Sequence, residues 1–591
     1  MDKILEDLED FQLPNKVKDE ITESKKIYQS IILQDLYFFC TQHQNIKNLD
    51  INNFKKLFTK KYLAKCRIAK VSIKKTDLVL EYNKQLENNL IKKCNLLEKM
   101  ICKKPSRSIS GINSITLVMS PYPNGQSFSC KHNCYYCPNE PAHKGNYYQA
   151  QPRSYLYHEP AVRRANRHSF KSYEQMIDRL DTLKGNGHPC DKIEIIIEGG
   201  TYNEFPIKYL EDFNRDFYYA ANTYYSINKR NKLTLEEEVY LNRFSKVHII
   251  GNCIETRPDT INENWIKHYR MCGVTRIQLG VQSTHNNILK KINRGHTIEC
   301  ALECIEKLKN LCFKIDIHIM PDLPYSTPEL DKEMFDYTYN ILQPDQIKIY
   351  PCAVVPWTII EKWYNQNKWK PYEPEILKEV MDYAMIKCPE WIRLPRVIRD
   401  IPGVYIQAGN KTTNLRQMLV ESKEIRSREI ERHEEYYNLP AKIFINLYNN
   451  NNGIKDYFIS YESYDKKALF GFIRLRLIKF SNTNNIYSSL LNKGLIRELH
   501  VYGFNTKVGE EAKASQHKGI GTKLLKTAEK ITYYNNFKGI SVISGEGVKE
   551  YYKKKGYYEL ETYMHKDFNL VYDIIKIINV MIVILLMIKF I

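Results

Sequence analysis

Cys130, Cys134 and Cys137 form a C-x3-C-x2-C pattern within Ser129-Cys130-Lys131-His132-Asn133-Cys134-Tyr135-Tyr136-Cys137-Pro138. Three thiolates can hold three irons of a 4Fe–4S cluster and leave the fourth iron open. An open iron can chelate the amino and carboxylate groups of S-adenosylmethionine. One electron then cleaves the sulfonium to a 5′-deoxyadenosyl radical. Tyr136, between the last two ligands, is expected to cover the adenine side. The alternative is a structural zinc, which ordinarily wants four closed ligands with paired C-x2-C spacing. Only His132 lies nearby in sequence to complete one, so the ligand number and spacing favour iron–sulfur.

Such ligands need a scaffold. Short β-branched runs alternate with longer helical stretches at Ser114–Met119, Lys192–Glu198, Lys246–Ile250, Arg276–Val281, Lys314–Met320 and Gln346–Tyr350. That is the rhythm of βα units, hence a parallel sheet curling into a partial or full α/β barrel. The runs end in polar or Gly-rich residues, among them Glu198-Gly199-Gly200-Thr201, Glu255-Thr256-Arg257-Pro258, Gln282-Ser283 and Met320-Pro321-Asp322. Strand C-termini are where such sheets build active sites.

From about Lys455 the pattern becomes antiparallel, with runs at Tyr457–Glu462, Ala468–Ile478 and Leu495–Tyr502. Gln516-His517-Lys518-Gly519-Ile520-Gly521-Thr522 follows and opens a helix with Leu524, Leu525, Ala528 and Ile531 at helical spacing. This Q-x-x-G-x-G loop presents backbone N–H groups and a positive dipole end, suited to a pyrophosphate; an ordinary helix start is the alternative. A strand at Gly539–Ser544 and a helix holding Tyr551 and Tyr552 complete the layout of a GCN5-related acetyltransferase fold. There an acyl-CoA wedges between splayed strands, and a Tyr can protonate the leaving thiolate. Helix packing is the competing explanation for either Tyr.

The pairing of these two parts resembles the catalytic subunit of the Elongator complex, the tRNA uridine(34) acetyltransferase family. The likeness runs from about Lys103 to Phe568. It rests on Lys104-Pro105-Ser106-Arg107-Ser108, Ile254-Glu255-Thr256-Arg257-Pro258-Asp259, Asn293-Arg294-Gly295-His296-Thr297, Met320-Pro321-Asp322-Leu323-Pro324 and Arg497-Glu498-Leu499-His500-Val501-Tyr502-Gly503. The resemblance implies an enzyme that uses acetyl-CoA and S-adenosylmethionine to form 5-carboxymethyluridine at the tRNA wobble position by radical chemistry. It implies acetyl-CoA contacts at Lys192, at Glu498, Leu499, His500 and Val501, at the Ile520-Gly521-Thr522 turn and at Tyr552, beside Gln516 and Gly519 of the loop. Catalytic roles fall on Lys192, Glu498, His500, Tyr551 and Tyr552, with Glu498 as base or water-positioner. Without the resemblance, Lys192 would be read as a solvated charge and His500 as a core histidine. The alternative function is a protein lysine acetyltransferase whose iron–sulfur barrel is only structural.

The sequence departs from the family in three places. The C-x3-C gap is shorter than in many members. Lys423 and Glu424 precede Arg426-Ser427-Arg428-Glu429 where members carry a Cys, so no linker metal site is expected. Glu546 stands where members often have an aliphatic residue.

At 591 residues and roughly 150 per domain, several domains are expected. The anticipated layout is a basic helical tRNA-binding region (1–102), a radical barrel (103–400), a linker (401–454) and an acetyltransferase domain (455–568). A 43% apolar and 26% charged composition excludes wholesale disorder and a polytopic membrane protein; sparse Gly and Pro and the lack of long heptads exclude collagen-like and coiled-coil chains. Fifteen cysteines are too dilute for a disulfide scaffold, and the acidic start of the chain is no signal peptide, so a reducing compartment is expected. The 88 Lys+Arg against 68 Asp+Glu leave +20, which suits a nucleic-acid partner, here a tRNA anticodon stem-loop, although a Lys-rich coding bias gives the same sum. Lys55-Lys56, Lys60-Lys61, Lys74-Lys75 and Lys92-Lys93, with Phe54, Phe58, Tyr62 and Tyr82, read as a helical clamp or as a solvated face over core aromatics. Arg163, Arg164, Arg167, Arg426, Arg428 and Arg432 are candidates to line the path between sites. Asn449–Asn452 and Ser481–Asn485 read as loop insertions. Other Elongator-like subunits are possible partners. Residues 571–591 form an apolar strip long enough to span a bilayer. They are read as a tail anchor in the mitochondrial outer membrane or endoplasmic reticulum, with the enzyme facing the cytoplasm; a packed terminal helix is the alternative.

Overall fold

The computed structural model describes residues 15–43, 51–69, 72–102, 111–451, 453–479, 486–502 and 519–568. They fall into two compact units. The smaller contains the helices Asn15–Gln42, Ile51–Ile68, Lys75–Glu87 and Asn95–Ile101. Leu33, Leu36, Phe54, Phe58, Leu78, Tyr82 and Leu97 form its core. Lys56, Lys60 and Arg67 recur at helical spacing on an exposed face, with Lys55 beside them. Of the aromatics expected among the basic runs, Phe54, Phe58 and Tyr82 are therefore core side chains, while the cations stay outside.

The larger unit holds two seven-stranded sheets. The first is all parallel and runs in chain order: β1 (Asn113–Val118), β2 (Lys192–Glu198), β3 (His248–Thr256), β4 (Val274–Gln282), β5 (Lys314–Ile319), β6 (Gln346–Ile349) and β7 (Arg393–Arg396). Along β2 the side chains alternate between buried and half-buried: Ile193, Ile195 and Ile197 are wholly enclosed, and Lys192, Glu194, Ile196 and Glu198 share the other face. β1 and β7 are the two sheet edges, so the barrel is partial. Six of these strands follow the β-branched runs, although β3 begins later and extends further than Lys246–Ile250. Arg393-Leu394-Pro395-Arg396 makes the seventh, an edge strand that tolerates a proline.

The second sheet has the order β13-β14-β12-β11-β10-β9-β8. Its strands are β8 (Ala441–Asn451), β9 (Ile454–Ser463), β10 (Leu469–Ile478), β11 (Lys493–Val501), β12 (Gly539–Val542), β13 (Tyr558–Leu560) and β14 (Tyr563–Asp567). All neighbours are antiparallel except β11 and β12, whose parallel crossover carries the helix Ile520–Tyr534. β8 lies inside the segment expected to be linker, and Asn449–Asn451 belong to that strand rather than to an inserted loop. Ser481–Asn485 fall outside the described residues.

The two sheets meet across a seam of buried charge. Asp345, just before β6, takes a two-pronged bond from Arg497 of β11 (2.6 and 2.7 Å). Arg474 of β10 lies 3.5 Å from the same carboxylate. Gly545 presses against β3: a Cβ there would fall 2.1 Å from the Ile250 carbonyl oxygen, so no other residue fits. Glu546 forms a closed ring of charges with Arg243 (2.8 Å), Lys549 (2.6 Å) and Glu559, which in turn binds Arg243 (2.7 Å) and Lys549 (2.6 Å). The unusual glutamate is thus the partner of two nearly buried cations.

Among the described residues no helix is long and apolar enough to cross a membrane, and residues 571–591 lie outside them.

Candidate functional site

At the C-terminal ends of the parallel strands, the cysteine loop is pinned by backbone and side-chain bonds. Tyr135 N–H donates to Ile292 O (3.0 Å), Ile359 N–H donates to Tyr135 O (3.0 Å), and Asn293 Nδ2 donates to Asn133 O (2.8 Å). Gly199 and Gly200 both have positive φ (138° and 118°), and a Cβ on Gly200 would lie 2.7 Å from Ser129 O. The Gly-Gly pair therefore lets the loop settle onto the end of β2. Cys130 Sγ is 3.2 Å from Thr201 Oγ1. Arg257 and Arg294 each point a guanidinium nitrogen at Cys134 Sγ, at 3.6 and 3.4 Å. Burial pushes the Cys134 thiol up, but Arg294 and then Arg257 outweigh it and leave the thiol below its usual range. Burial, with Cys134 and Cys130 adding to it, pushes Cys137 up to about 11 despite Arg153.

The donor set suits an iron–sulfur cluster: three thiols on one loop, one biased toward the thiolate that ligates iron. As they stand, no three His, Cys, Asp or Glu side chains among the described residues converge tightly enough to hold a metal ion. His132, the candidate fourth zinc ligand, instead faces Glu204 (3.6 Å). Tyr136 packs with Ile288, Ile292 and Leu323. At the end of β4, Gln282 adopts φ 73° and its Oε1 is buried without a hydrogen-bond partner. The Gln282 amide lies with Arg294 against Gly280, and an orphaned acceptor there fits a ligand that brings its own donor, as S-adenosylmethionine does.

The second opening lies in the mixed sheet. β11 pairs with β12 only through Ile496↔Val542, and Arg497–Val501 continue without it. Gly519, with φ 91°, precedes the helix Ile520–Tyr534, whose first turn faces this gap. A Cβ on Gly521 would fall 3.0 Å from Tyr551 Oη and 3.6 Å from Val501 Cγ2. The structure thus gathers Val501, Gly521 and Tyr551. Tyr552, 6% exposed, packs in the core against Tyr557. Ile520 is also a core side chain, Leu499 packs against the same core, and Thr522 is half-buried. Gln516 lies outside the described residues.

Glu498 is fully engaged: Lys314, the first residue of β5, and Arg474 (2.9 Å) both pair with it. Burial pushes its carboxyl up, but Lys314 and Arg474 more than reverse this and hold it at about 2. His500 stacks on Phe472 (6.0 Å) and lies tilted against Tyr502 (4.3 Å), and its Nε2 lacks a hydrogen-bond partner. Burial lowers His500 to about 4, so the ring is neutral at pH 7. Lys192 opens β2 in register with His248, against which Gly547 packs. Burial lowers the Lys192 ammonium, with Asp191 opposing.

Beside β7 a basic cleft of about 1150 Å3 is lined by Arg396, Arg416, Arg426, Arg428, Arg432 and Lys466 among others. Arg426 is lowered to about 10 by burial and by the cations Arg416, Arg432 and Arg393. Sequence reading singled out three of these arginines; Arg396 and Arg416 join them only through folding. Glu424, which stands near the family's linker cysteine, caps the turn Ile425–Arg428 and takes the Leu394 N–H (2.8 Å).

Residues 127–334 match the family described as the Radical SAM superfamily, and 344–425 match its Radical_SAM C-terminal domain. The chain is 35% identical to the tRNA uridine(34) acetyltransferase of Methanocaldococcus infernus, over 80% of this chain and 88% of that protein. It is 33% identical to Elongator complex protein 3 of Schizosaccharomyces pombe, over 80% and 87%. The solved archaeal Elp3 of Methanocaldococcus infernus, lacking its N-terminus, superimposes with a TM-score of 0.64 at 32% identity, covering 78% of this chain and 100% of that one. The alignment to an Elongator subunit overturns the membrane-anchored location expected from the apolar strip.

Proposed function

Because the chain belongs to the family of tRNA uridine(34) acetyltransferases and Elongator complex protein 3, we propose that it forms 5-carboxymethyluridine at the tRNA wobble position from acetyl-CoA and S-adenosylmethionine. The observation that supports this reading is the presence, in one compact unit, of a three-cysteine loop at the parallel-strand ends and a gap where β11 and β12 part. Cys130, Cys134 and Cys137 would hold a 4Fe–4S cluster, which when bound supplies one-electron cleavage of S-adenosylmethionine to a 5′-deoxyadenosyl radical. Arg257 and Arg294 bias the Cys134 sulfur toward the thiolate. Gln282 Oε1 stands ready to accept a hydrogen bond from the bound S-adenosylmethionine.

At the second opening, the first turn of the helix Ile520–Tyr534 offers its free N–H groups to the pyrophosphate of acetyl-CoA. Gly521 keeps the entrance clear, and the Tyr551 hydroxyl lies where it can donate a proton to the CoA thiolate. Glu498 acts as a positioning residue: its two ion pairs fix the free half of β11 and so aim His500. Lys192, its ammonium weakened by burial, serves to bind phosphate or orient the thioester. The cleft beside β7 carries more basic than acidic side chains and crowds Arg426 with Arg416, Arg432 and Arg393, which suits the phosphates of tRNA.

Mass spectrometry of the wobble nucleoside tests the proposal. Anaerobically reconstituted protein, given S-adenosylmethionine, reductant, acetyl-CoA and tRNA, is expected to yield carboxymethyluridine. Cys134→Ala is expected to abolish it, with iron content reduced. Product that persists in Cys134→Ala would refute the radical step.

A further inference from the structure

Past the cysteine loop the chain ties a compact knot. Glu140, three residues beyond Cys137 and 1% exposed, is its hub. Its carboxylate accepts from Tyr157 N–H (2.7 Å) and Asn146 Nδ2 (3.1 Å) and meets His143 Nε2 (3.0 Å), while its carbonyl accepts from Gln151 N–H (3.0 Å). Ser154 N–H donates to Pro138 O (2.9 Å), closing the knot onto the loop.

The knot turns two neighbouring rings outward. Tyr147 and Tyr148 are 75% and 72% exposed, and both take left-handed backbone conformations (φ 52° and 57°). A residue with a Cβ reaches that region only at a cost, and here two in succession do so without burying either ring. Tyr157 lies beside them, its ring centroid 5.9 Å from that of Tyr147. Exposed Lys144, Arg163 and Arg167 flank these rings in the chain. Outward aromatic faces among cations, at the rim of a cysteine loop, have the chemistry that receives unpaired nucleobases with their phosphates.

We propose that Tyr147, Tyr148 and Tyr157 form a stacking ledge for unpaired bases of the substrate RNA next to the base being modified. This rests on the tRNA reading above. Bases stack through their π-faces and the flanking cations meet the backbone, so the ledge selects single-stranded over paired RNA without reading sequence.

The test uses the full chain and a hairpin RNA of anticodon-arm sequence, with 2-aminopurine beside the wobble position, against a blunt RNA duplex of equal length. Wild-type protein is expected to bind the hairpin and quench its fluorescence. The double variant Tyr147→Ala/Tyr148→Ala should lose the quenching and bind the hairpin about tenfold or more weakly, with duplex binding unchanged. Tyr147→Phe/Tyr148→Phe, which keeps the rings, should behave as wild type and guards against misfolding. Unchanged quenching and affinity in the alanine variant would overturn the ledge. Equal weakening of hairpin and duplex would also overturn it. A wild-type chain that binds neither RNA would instead sink the tRNA reading itself.

Discussion

The two seven-stranded sheets open a site in opposite ways. In the parallel sheet the opening lies where every strand stops, so its walls come from many separate loops: the cysteine loop, Gly199–Gly200, Arg257, Gln282 and Arg294. In the mixed sheet it lies where two neighbours part, and one strand, one helix start and one Tyr suffice. An opening made by endings depends on loop packing. One made by divergence depends on what holds the divergent strand. Here that hold is the barrel itself, through Asp345 and Lys314.

The sharpest way to break the contrast is to cut that hold. Arg497→Ala removes the two-pronged partner of the buried Asp345 carboxylate and leaves it Arg474 at 3.5 Å and the Ile315 N–H; a stability loss of about 3 kcal/mol is expected in urea unfolding. Acetyl-CoA binding should fall with it, whereas iron incorporation into the purified folded fraction should not. Equal loss of both would mean that the two openings are not separately supported.

A smaller effect comes from Glu498. Its folded carboxyl, at about 2, lies below the ordinary value near 4.3. Its stabilising contribution is therefore present above about pH 4.3 and is lost as pH falls toward 2. Unfolding followed between pH 6 and 3 should show wild type losing stability, on the order of 1–2 kcal/mol from this group, while Glu498→Gln changes less. If Glu498→Gln also leaves tRNA-stimulated acetyl-CoA turnover intact, no catalytic role remains for this carboxylate.

The smallest expected effects separate the two tyrosines. Gly521→Ala places a methyl 3.0 Å from the Tyr551 hydroxyl; about tenfold weaker acetyl-CoA binding, near 1.4 kcal/mol, is expected by calorimetry with no change in melting. Tyr551→Phe should slow thioester turnover several-fold, on the scale of a single proton donor. Tyr552→Phe should move stability instead. The reverse pattern would restore Tyr552 to the acyl site.

Most of the parallel sheet was legible because buried parallel strands are continuous β-branched runs with a helix between each. β7 escaped because an edge strand of four residues with two arginines and a proline carries no such signal. β8 escaped for a related reason: it has only β9 as partner, and Asn449–Asn451 read as turn residues. The three cysteines stood out by spacing, and the Q-x-x-G-x-G loop by its glycines. What spacing could not reveal was partnership. Glu498 looks like a free carboxylate in sequence, and Lys314, 184 positions away, is what occupies it. The Tyr551–Tyr552 assignment likewise depends on which ring faces Gly521.

The ring of Arg243, Glu546, Lys549 and Glu559 bears on how freely the two halves of this enzyme can be recombined. Each half contributes charge that the other neutralises, so neither is an interchangeable part. An aliphatic side chain placed at the Glu546 position would leave Arg243 and Lys549 sharing the single carboxylate of Glu559. Arg243 and Glu546 form one unit across that boundary, so an exchange of either half is expected to succeed best when both positions are exchanged together.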